Sequence, residues 1–159
     1  MTKRGVEATY RTEHFENPRL LVTQEDVDDL FDVLLESGIG ESAVQLFSLS
    51  RPDLPSGWPD HELIAGVRKD RQAGVLSSMD ANCDPVGHVV SVGNRERGRG
   101  PVHYSVARSV YDFPLFAEIP IEKVRQAVKE FVATGGKRPT CVEWDDPGVW
   151  DSASEGSHF

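Results

Sequence analysis

The segment 119–144, which reads IPIEKVRQAVKEFVATGGKRPTCVEW, constrains the fold of this chain more than any other stretch. Its apolar residues recur at the spacing of an α-helix: Ile121, Val124, Val128, Phe131 and Val132. Pro120 suits the first helical position, because its missing N–H would be unpaired there, and Gly135 and Gly136 can adopt the positive φ that ends a helix. The pattern predicts a helix over residues 120–134, with one apolar face that must pack against another element.

A short polar connection follows the two glycines, and the chain then regains the composition of a strand. The connection consists of Lys137, Arg138 and Pro139. Residues 141–144 combine Cys, Val, Glu and Trp, which is typical of a strand. The whole segment therefore predicts a helix, a glycine stop and one strand.

A second helix is predicted over residues 24–37. Thr23 can cap this helix, with Asp26 three residues later as in a capping box, and Gly38 follows its end. Its apolar stripe consists of Val27, Leu30, Phe31, Leu34 and Leu35. Its other face is acidic, without Lys or Arg: Glu25, Asp26, Asp28, Asp29, Asp32 and Glu36. Such a face is either a solvated surface or a docking surface for a cationic protein.

Alternating apolar residues predict several strands outside the helices. A short edge strand is expected at residues 6–10 and a further strand at residues 43–49. Residues 62–68 and 73–79 alternate on either side of a polar turn, which predicts a hairpin.

Residues 86–92 and 102–106 are interpreted as another hairpin. Their connection, residues 93–100, reads GNRERGRG and would form the hairpin tip. Segment 109–118 is expected to be irregular, with three aromatic side chains covering the sheet: Tyr111, Phe113 and Phe116.

These elements predict an α+β fold. A mainly antiparallel sheet of about five to seven strands would be covered on one face by the two helices, and its other face would be partly open. A chain of 159 residues with 38% apolar residues fits a single domain, expected over residues 1–144. Residues 145–159 are small, polar and acidic and are expected to form a flexible tail.

The composition limits the partners and the location that can be expected for this chain. A formal charge of −9 disfavours binding to nucleic acids and to anionic membranes, because both require clustered cations, and favours a basic protein partner. No apolar run exceeds three residues, and Lys3 and Arg4 precede no hydrophobic signal region, so a cytoplasmic location is expected. Cys83 and Cys141 are interpreted as reduced thiols.

Two other features are candidates for contact with a partner. Trp58 lies in the proline-rich loop 51–59, where it could anchor a partner or fold back over an edge of the core. Arg95, Arg97 and Arg99 form the one dense basic cluster of the sequence, either as a solvated hairpin tip or as a tip that reaches an acidic patch.

No motif for catalysis or metal binding is present in the sequence. His61 and Glu62 lack the second histidine of a zinc protease motif, and the zinc deaminase signature is incomplete, because no P-C-x-x-C occurs. Phosphate-binding glycine motifs and the nucleophile elbow are also missing. No cofactor, no metal ion and no catalytic residue are therefore expected.

Residues 113–144 resemble the Immunity protein 1 family of bacterial polymorphic toxin systems. The likeness is carried by the F-P pair, the I-P start of the second helix, its E-F-V-A-T-G end and the strand R-P-T-C-V-E-W. The resemblance implies a cytosolic antitoxin that blocks a cognate toxin domain, often a deaminase-like one, stoichiometrically. The residues that carry it are interpreted as fold determinants: Arg138, Pro139, Cys141, Glu143 and Trp144.

The leading hypothesis is thus a non-enzymatic immunity protein, a monomer that forms a 1:1 complex with its toxin. The proposed toxin-binding residues are Asp28, Asp29, Asp32 and Glu36, then Trp58 and the arginines of the 93–100 connection. Two alternatives remain open. One is a small-ligand-binding or enzymatic domain that uses the open sheet face with His61, His88 or His103, and the other is an adaptor in a secretion assembly.

Overall fold

The computed structural model describes residues 5–83, 85 and 87–147 of the chain. These residues form two helices and nine strands, and every strand pair is antiparallel. The helices are α1 (Gln24–Glu36) and α2 (Ile121–Ala133), and the strands are β1 (Val6–Thr9), β2 (Arg19–Leu21), β3 (Ala43–Ser48), β4 (His61–Arg68), β5 (Ala73–Asp80), β6 (Gly87–Val92), β7 (Val102–Val106), β8 (Ser109–Phe113) and β9 (Glu143–Asp145). The predicted α+β class is confirmed.

The main sheet has seven strands in the order β2-β1-β3-β4-β5-β6-β9, and β7 and β8 form a separate two-stranded sheet. The predicted hairpin is confirmed, since β4 and β5 pair from His61 opposite Asp80 to Arg68 opposite Ala73. The prediction that β1 is an edge strand is wrong. Strand β2, which the sequence did not predict, lies outside it, with Leu20 opposite Glu7.

Both helices form where the sequence predicts them, but α1 ends at Glu36 and not at residue 37, and α2 spans Ile121–Ala133 and not residues 120–134. The Thr23 hydroxyl accepts a hydrogen bond from the Asp26 amide at 3.1 Å, and the Asp26 carboxylate accepts one from the Thr23 amide at 2.9 Å. At the start of α2, Pro120 is the N-cap and not the first helical residue. At its end, Gly135 and Gly136 have φ of +72° and +98°, and the Gly136 amide donates to the Phe131 carbonyl at 2.9 Å.

Both helices cover one face of the main sheet, as predicted. The buried residues of α1 are Val27, Leu30, Phe31 and Leu34, and those of α2 are Val124, Ala127, Val128 and Phe131. They pack against the side chains of alternating strand residues, including Leu46 on β3, Leu63 on β4 and Leu76 on β5. This layer forms the larger of the two apolar cores, and its face of the sheet is called the helix face below.

The prediction of a hairpin between residues 86–92 and 102–106 is wrong. Strand β6 pairs with β5 and β9, whereas β7 pairs with β8, which begins within the segment expected to be irregular. The connection 93–100 folds back on the chain instead of forming a tip, because the Gly93 amide donates to the Phe116 carbonyl at 2.7 Å and the Phe116 amide donates to the Gly98 carbonyl at 2.9 Å. Local turn residues did not reveal this longer-range pairing.

The β7–β8 sheet packs against the second face of the main sheet. Its side chains and the following residues, including Tyr104, Phe113 and Phe116, form a second core with residues of the main sheet: Ala43, Ile64, Val75, Val90 and Val92. Phe113 and Phe116 therefore cover the sheet as predicted. The cover extends over only part of this face, because Leu20 and Met79 on the uncovered part are 52% and 49% exposed. The second face is partly open, as expected.

The predicted last strand starts two residues later than expected. Strand β9 is added to the edge of the sheet beside β6, with Trp144 opposite Ser91. Asp145, which the sequence analysis assigned to the tail, belongs to this strand. The predicted tail from residue 148 onward, which includes Trp150, lies outside the described residues. Val86 of the predicted strand 86–92 also lies outside them. No helix among the described residues is long and apolar enough to cross a membrane.

Candidate functional site

The acidic residues proposed on α1 do not all have the same role. Asp29, Asp32 and Glu36 are exposed. Asp28 is directed toward α2, where its Oδ1 lies 2.9 Å from Lys129 Nζ and accepts a hydrogen bond from Arg125 Nη1 at 3.2 Å. The hydrogen bonds from Lys129 and Arg125 lower the pKa of Asp28. Asp28 therefore links the two helices, and the other three acids form the exposed acidic surface.

Trp58 is 74% exposed, which removes the alternative that it covers an edge of the core. Its loop is a folded turn, since the Leu54 amide donates to the Trp58 carbonyl at 2.7 Å and Asp53 forms a bridge with Pro59. A large aromatic side chain on an ordered turn is a suitable anchor for a protein partner, because little conformational entropy is lost when it binds.

The three arginines of the 93–100 connection have separate surroundings. Arg95 forms ion pairs with Glu143 at 2.8 Å and with Asp145 at 3.3 Å, both on β9. Arg97 Nη1 donates to Glu118 at 2.9 Å, and Arg99 is exposed. The cluster that the sequence suggested is therefore partly neutralised by acids of the same chain.

Glu118 is the centre of a buried network that includes Arg97. Its carboxylate accepts hydrogen bonds from Arg71 Nε at 2.6 Å and Nη2 at 2.8 Å, and from the Tyr104 hydroxyl at 2.7 Å. Burial alone would raise the pKa of Glu118, but the hydrogen bonds from Arg71 and Tyr104 and the charge of Arg71 outweigh it and lower that pKa. The pKa of Tyr104 is raised, mainly by burial of its hydroxyl and secondly by the hydrogen bond to Glu118. Arg97 thus stabilises the attachment of the β7–β8 sheet.

A second polar network lies at the opposite end of the sheet, where β4 begins and β5 ends. Arg51 donates to Asp80 through two nitrogens at 2.8 and 2.9 Å and forms an ion pair with Asp60 at 3.0 Å. Asp60 Oδ1 lies 2.9 Å from His61 Nδ1, and His61 Nε2 accepts from the Ser48 amide at 2.7 Å. This network could not be predicted from local sequence patterns, because its members come from separate segments.

The surroundings of His61 exclude it from acid–base chemistry in this conformation. Because Nε2 accepts from a backbone amide, the proton of the neutral ring is on Nδ1 and points at Asp60. Burial lowers the pKa of His61, against the opposing effect of Asp60. Both ring nitrogens are occupied, and neither is available to a substrate.

The other two histidines of the enzymatic alternative lie elsewhere. His88 Nε2 is 2.7 Å from the Ser77 hydroxyl on the second face of the main sheet, and His103 on β7 contacts Asp112 on β8. His61 belongs to the helix face, where its ring lies 5.9 Å from that of Phe131. Within the described part of the chain, no three His, Cys, Asp or Glu side chains are grouped so that they could bind a metal ion.

The three sets of proposed contact residues do not form one patch. The acids of α1 lie on the outer surface of the helix layer, whereas Trp58 lies at the end of the sheet where β3 ends and β4 begins. The arginines follow Val92, which is at the other end of the sheet, because β6 starts at Gly87 opposite Asp80. The three sets therefore lie in three different regions of the surface.

The residues behind the sequence resemblance have structural contacts. Arg138 is buried, and it donates from Nε to the Ser78 hydroxyl and from Nη1 to the Pro85 carbonyl, each at 2.8 Å. Trp144 Nε1 donates to the Pro139 carbonyl at 2.9 Å, and the Arg138 guanidinium lies 5.9 Å from the Trp144 ring centroid. These contacts attach the connection between α2 and β9 to the sheet.

Comparisons with known proteins give one family. The family model described as Immunity protein Imm1 matches residues 16–146, which is most of the chain. A search of curated proteins finds no match.

Proposed function

The chain belongs to the Imm1 family of immunity proteins, and we propose that it is a non-enzymatic antitoxin that binds one cognate toxin domain and blocks the toxin's active site. Membership of the family supports an immunity role, and the match over residues 16–146 is the observation that carries the proposal. The complex would be a 1:1 heterodimer in the cytoplasm of the cell that makes the toxin.

The charge of the chain favours a cationic toxin. A toxin that acts on nucleic acid, such as a deaminase-like toxin, must attract phosphate groups and is therefore basic around its active site. The immunity protein has a formal charge of −9, and Asp29, Asp32 and Glu36 expose three carboxylates on α1. Opposite charges increase the rate of association, which matters for an inhibitor that must bind before the toxin acts.

The residues proposed from the sequence would contribute in different ways. Asp29, Asp32 and Glu36 would attract the toxin over long range, and Asp28 would contribute less because Lys129 and Arg125 offset its charge. Trp58 would be a direct contact. Arg95, Arg97 and Arg99 would contribute least, because Arg95 and Arg97 are already paired with acids of this chain.

The proposal is tested with the purified chain and the toxin domain encoded by the neighbouring gene. Titration calorimetry and light scattering are expected to give one toxin per chain, and toxin activity is expected to fall to background at an equimolar ratio. A matched control is the same titration with a toxin domain from an unrelated system, which should not bind. Absence of binding to the neighbouring toxin, or binding that leaves its activity unchanged, would overturn the proposal.

A further inference from the structure

The uncovered part of the second face of the main sheet contains a continuous row of side chains. Strand pairing places Leu20 opposite Glu7, and Glu7 opposite Phe47. It also places Glu62 opposite Met79, and Met79 opposite His88. Leu46 is opposite Leu63, so Phe47 and Glu62 are neighbours in the next position of that ladder. We call these six residues of β2, β1, β3, β4, β5 and β6 the open row.

Side-chain contacts place two members of the open row, Glu62 and His88, on the second face. Gln45 Nε2 donates to Glu62 Oε2 at 2.6 Å, and Gln45 alternates with Val44 and Leu46, which belong to the core on the helix face. At the far end of the row, His88 contacts Ser77, which alternates with the helix-face residue Leu76. The row therefore runs across six strands beside the β7–β8 sheet.

The chemistry of the open row is apolar and acidic. Two large apolar side chains of the row are exposed: Leu20 on the edge strand β2 is 52% exposed, and Met79 on the central strand β5 is 49% exposed. Glu7 and Glu62 alternate with the apolar residues, and the row contains no Lys or Arg. Burial lowers the pKa of His88, which favours its neutral form.

We infer that the open row is the surface on which the cognate toxin domain docks. Apolar side chains of the toxin would cover Leu20, Phe47 and Met79, and toxin Lys or Arg side chains would pair with Glu7 and Glu62. This inference rests on the proposed function, and it assigns the contact to a face that is distinct from the acidic surface of α1.

Charge favours a cationic toxin over other occupants of this face. A second copy of the chain would bring the carboxylates of the same row close together, which disfavours self-association. The C-terminal residues 148–159 of the same chain contain Asp151 and Glu155 and no Lys or Arg. Like a second copy of the chain, they would bring negative charge close to Glu7 and Glu62.

The test compares single substitutions that place a cation on different exposed apolar positions. Met79→Arg and Leu20→Arg would bring a positive charge and a longer side chain against the toxin, and each is expected to raise Kd about 30-fold or more, mainly through a faster koff. Val110→Arg on β8 is the matched control, because Val110 is 64% exposed and lies outside the open row. Its Kd should stay within about threefold of the wild-type value. Unchanged thermal melting checks that each variant is folded.

The outcomes separate this inference from the proposed function. If the wild-type chain binds the neighbouring toxin and both open-row variants bind as tightly as it does, the toxin docks elsewhere and only the inference fails. If the wild-type chain does not bind, the proposed function fails, and the inference fails with it. If the chain alone is a dimer that Met79→Arg converts to a monomer, a second copy occupies the row and the inference is wrong.

Discussion

The ring of Tyr104 lies against Gly66, so closely that a Cβ atom at Gly66 would be 2.7 Å from Tyr104 Cδ2. This contact lets β7 approach the second face of the main sheet, and the Tyr104 hydroxyl then reaches Glu118. The β7–β8 sheet therefore covers the part of the face around Gly66, and the open row remains beside it. The close packing of these two residues determines which part of the face is available to a partner.

Gly66→Ala is expected to destabilise the protein. The added methyl group has no room between β4 and the Tyr104 ring, so the free energy of unfolding should decrease by about 1–3 kcal/mol. Urea denaturation measures the change. Gly38→Ala is the control, because φ at Gly38 is −76° and a Cβ there would meet no atom within 4 Å. That variant should be unchanged or up to about 1 kcal/mol more stable, and equal effects at both positions would contradict the packing argument.

Glu118→Gln should decrease stability in a manner that depends on pH. The variant keeps a hydrogen-bond acceptor but removes the charge that faces Arg71 and Arg97, which should cost about 1.5–3 kcal/mol at pH 7. The pKa of Glu118 is lowered in the folded state. The stabilisation by its charge is thus complete above the pKa of an unfolded Glu, about 4.3, and is lost as the pH falls through the folded pKa. The difference in unfolding free energy between wild type and variant should shrink below about pH 4, and a difference that grows there would contradict this account.

His61→Gln should weaken the pH dependence of stability near neutrality. Burial lowers the pKa of His61 in the folded state below the pKa of histidine in the unfolded chain, about 6.5. As the pH falls past 6.5, the unfolded chain therefore binds a proton at His61 before the folded chain does. The wild-type free energy of unfolding should therefore decrease as the pH falls from 7.5 to 5.5. Gln can donate to Asp60 and accept from the Ser48 amide without titrating, so the variant should show a smaller decrease. Urea denaturation at several pH values gives the change of the unfolding free energy with pH for the wild type and for the variant. Equal changes in the two proteins would show that His61 does not contribute to the pH dependence.

Reversal of the acidic charges on α1 should slow association with the toxin. The triple variant Asp29→Lys, Asp32→Lys and Glu36→Lys should decrease kon about tenfold or more at low ionic strength and change koff little, because its effect is long-range attraction. Stopped-flow measurements at several salt concentrations give both rates. Asp28→Asn is the control, since Lys129 and Arg125 already offset that charge, and its kon should change less. An increase in koff for the triple variant would instead place α1 in the contact surface.

Both helices were predictable because their signals are local. The capping box at Thr23, the glycines after α2 and the two apolar stripes lie within the helices or next to them. The partner of β7 was not predictable from its neighbours, because burial of Tyr104 and Phe113 against the second face decides it. Strand β2 has only three residues, and it overlaps an apolar run, Leu20, Leu21 and Val22, that shows no alternation.

The candidate site was predictable only in part. Helical periodicity correctly placed Asp29, Asp32 and Glu36 at the surface. It could not show that Asp28 pairs with Arg125, which is 97 residues away, or that Arg97 pairs with Glu118. The open row was missed because its residues come from six separate strands and become one surface only through the register of the sheet.

The central claim is that this member of the Imm1 family neutralises a toxin by binding it, and growth of cells that produce both proteins tests it most directly. Cells that express the toxin domain of the neighbouring gene should stop growing, and expression of the wild-type chain at an equal or higher level should restore growth. Met79→Arg, expressed at the same level, should protect less, and Val110→Arg should protect fully. Continued growth arrest in the presence of folded wild-type chain would contradict the claim.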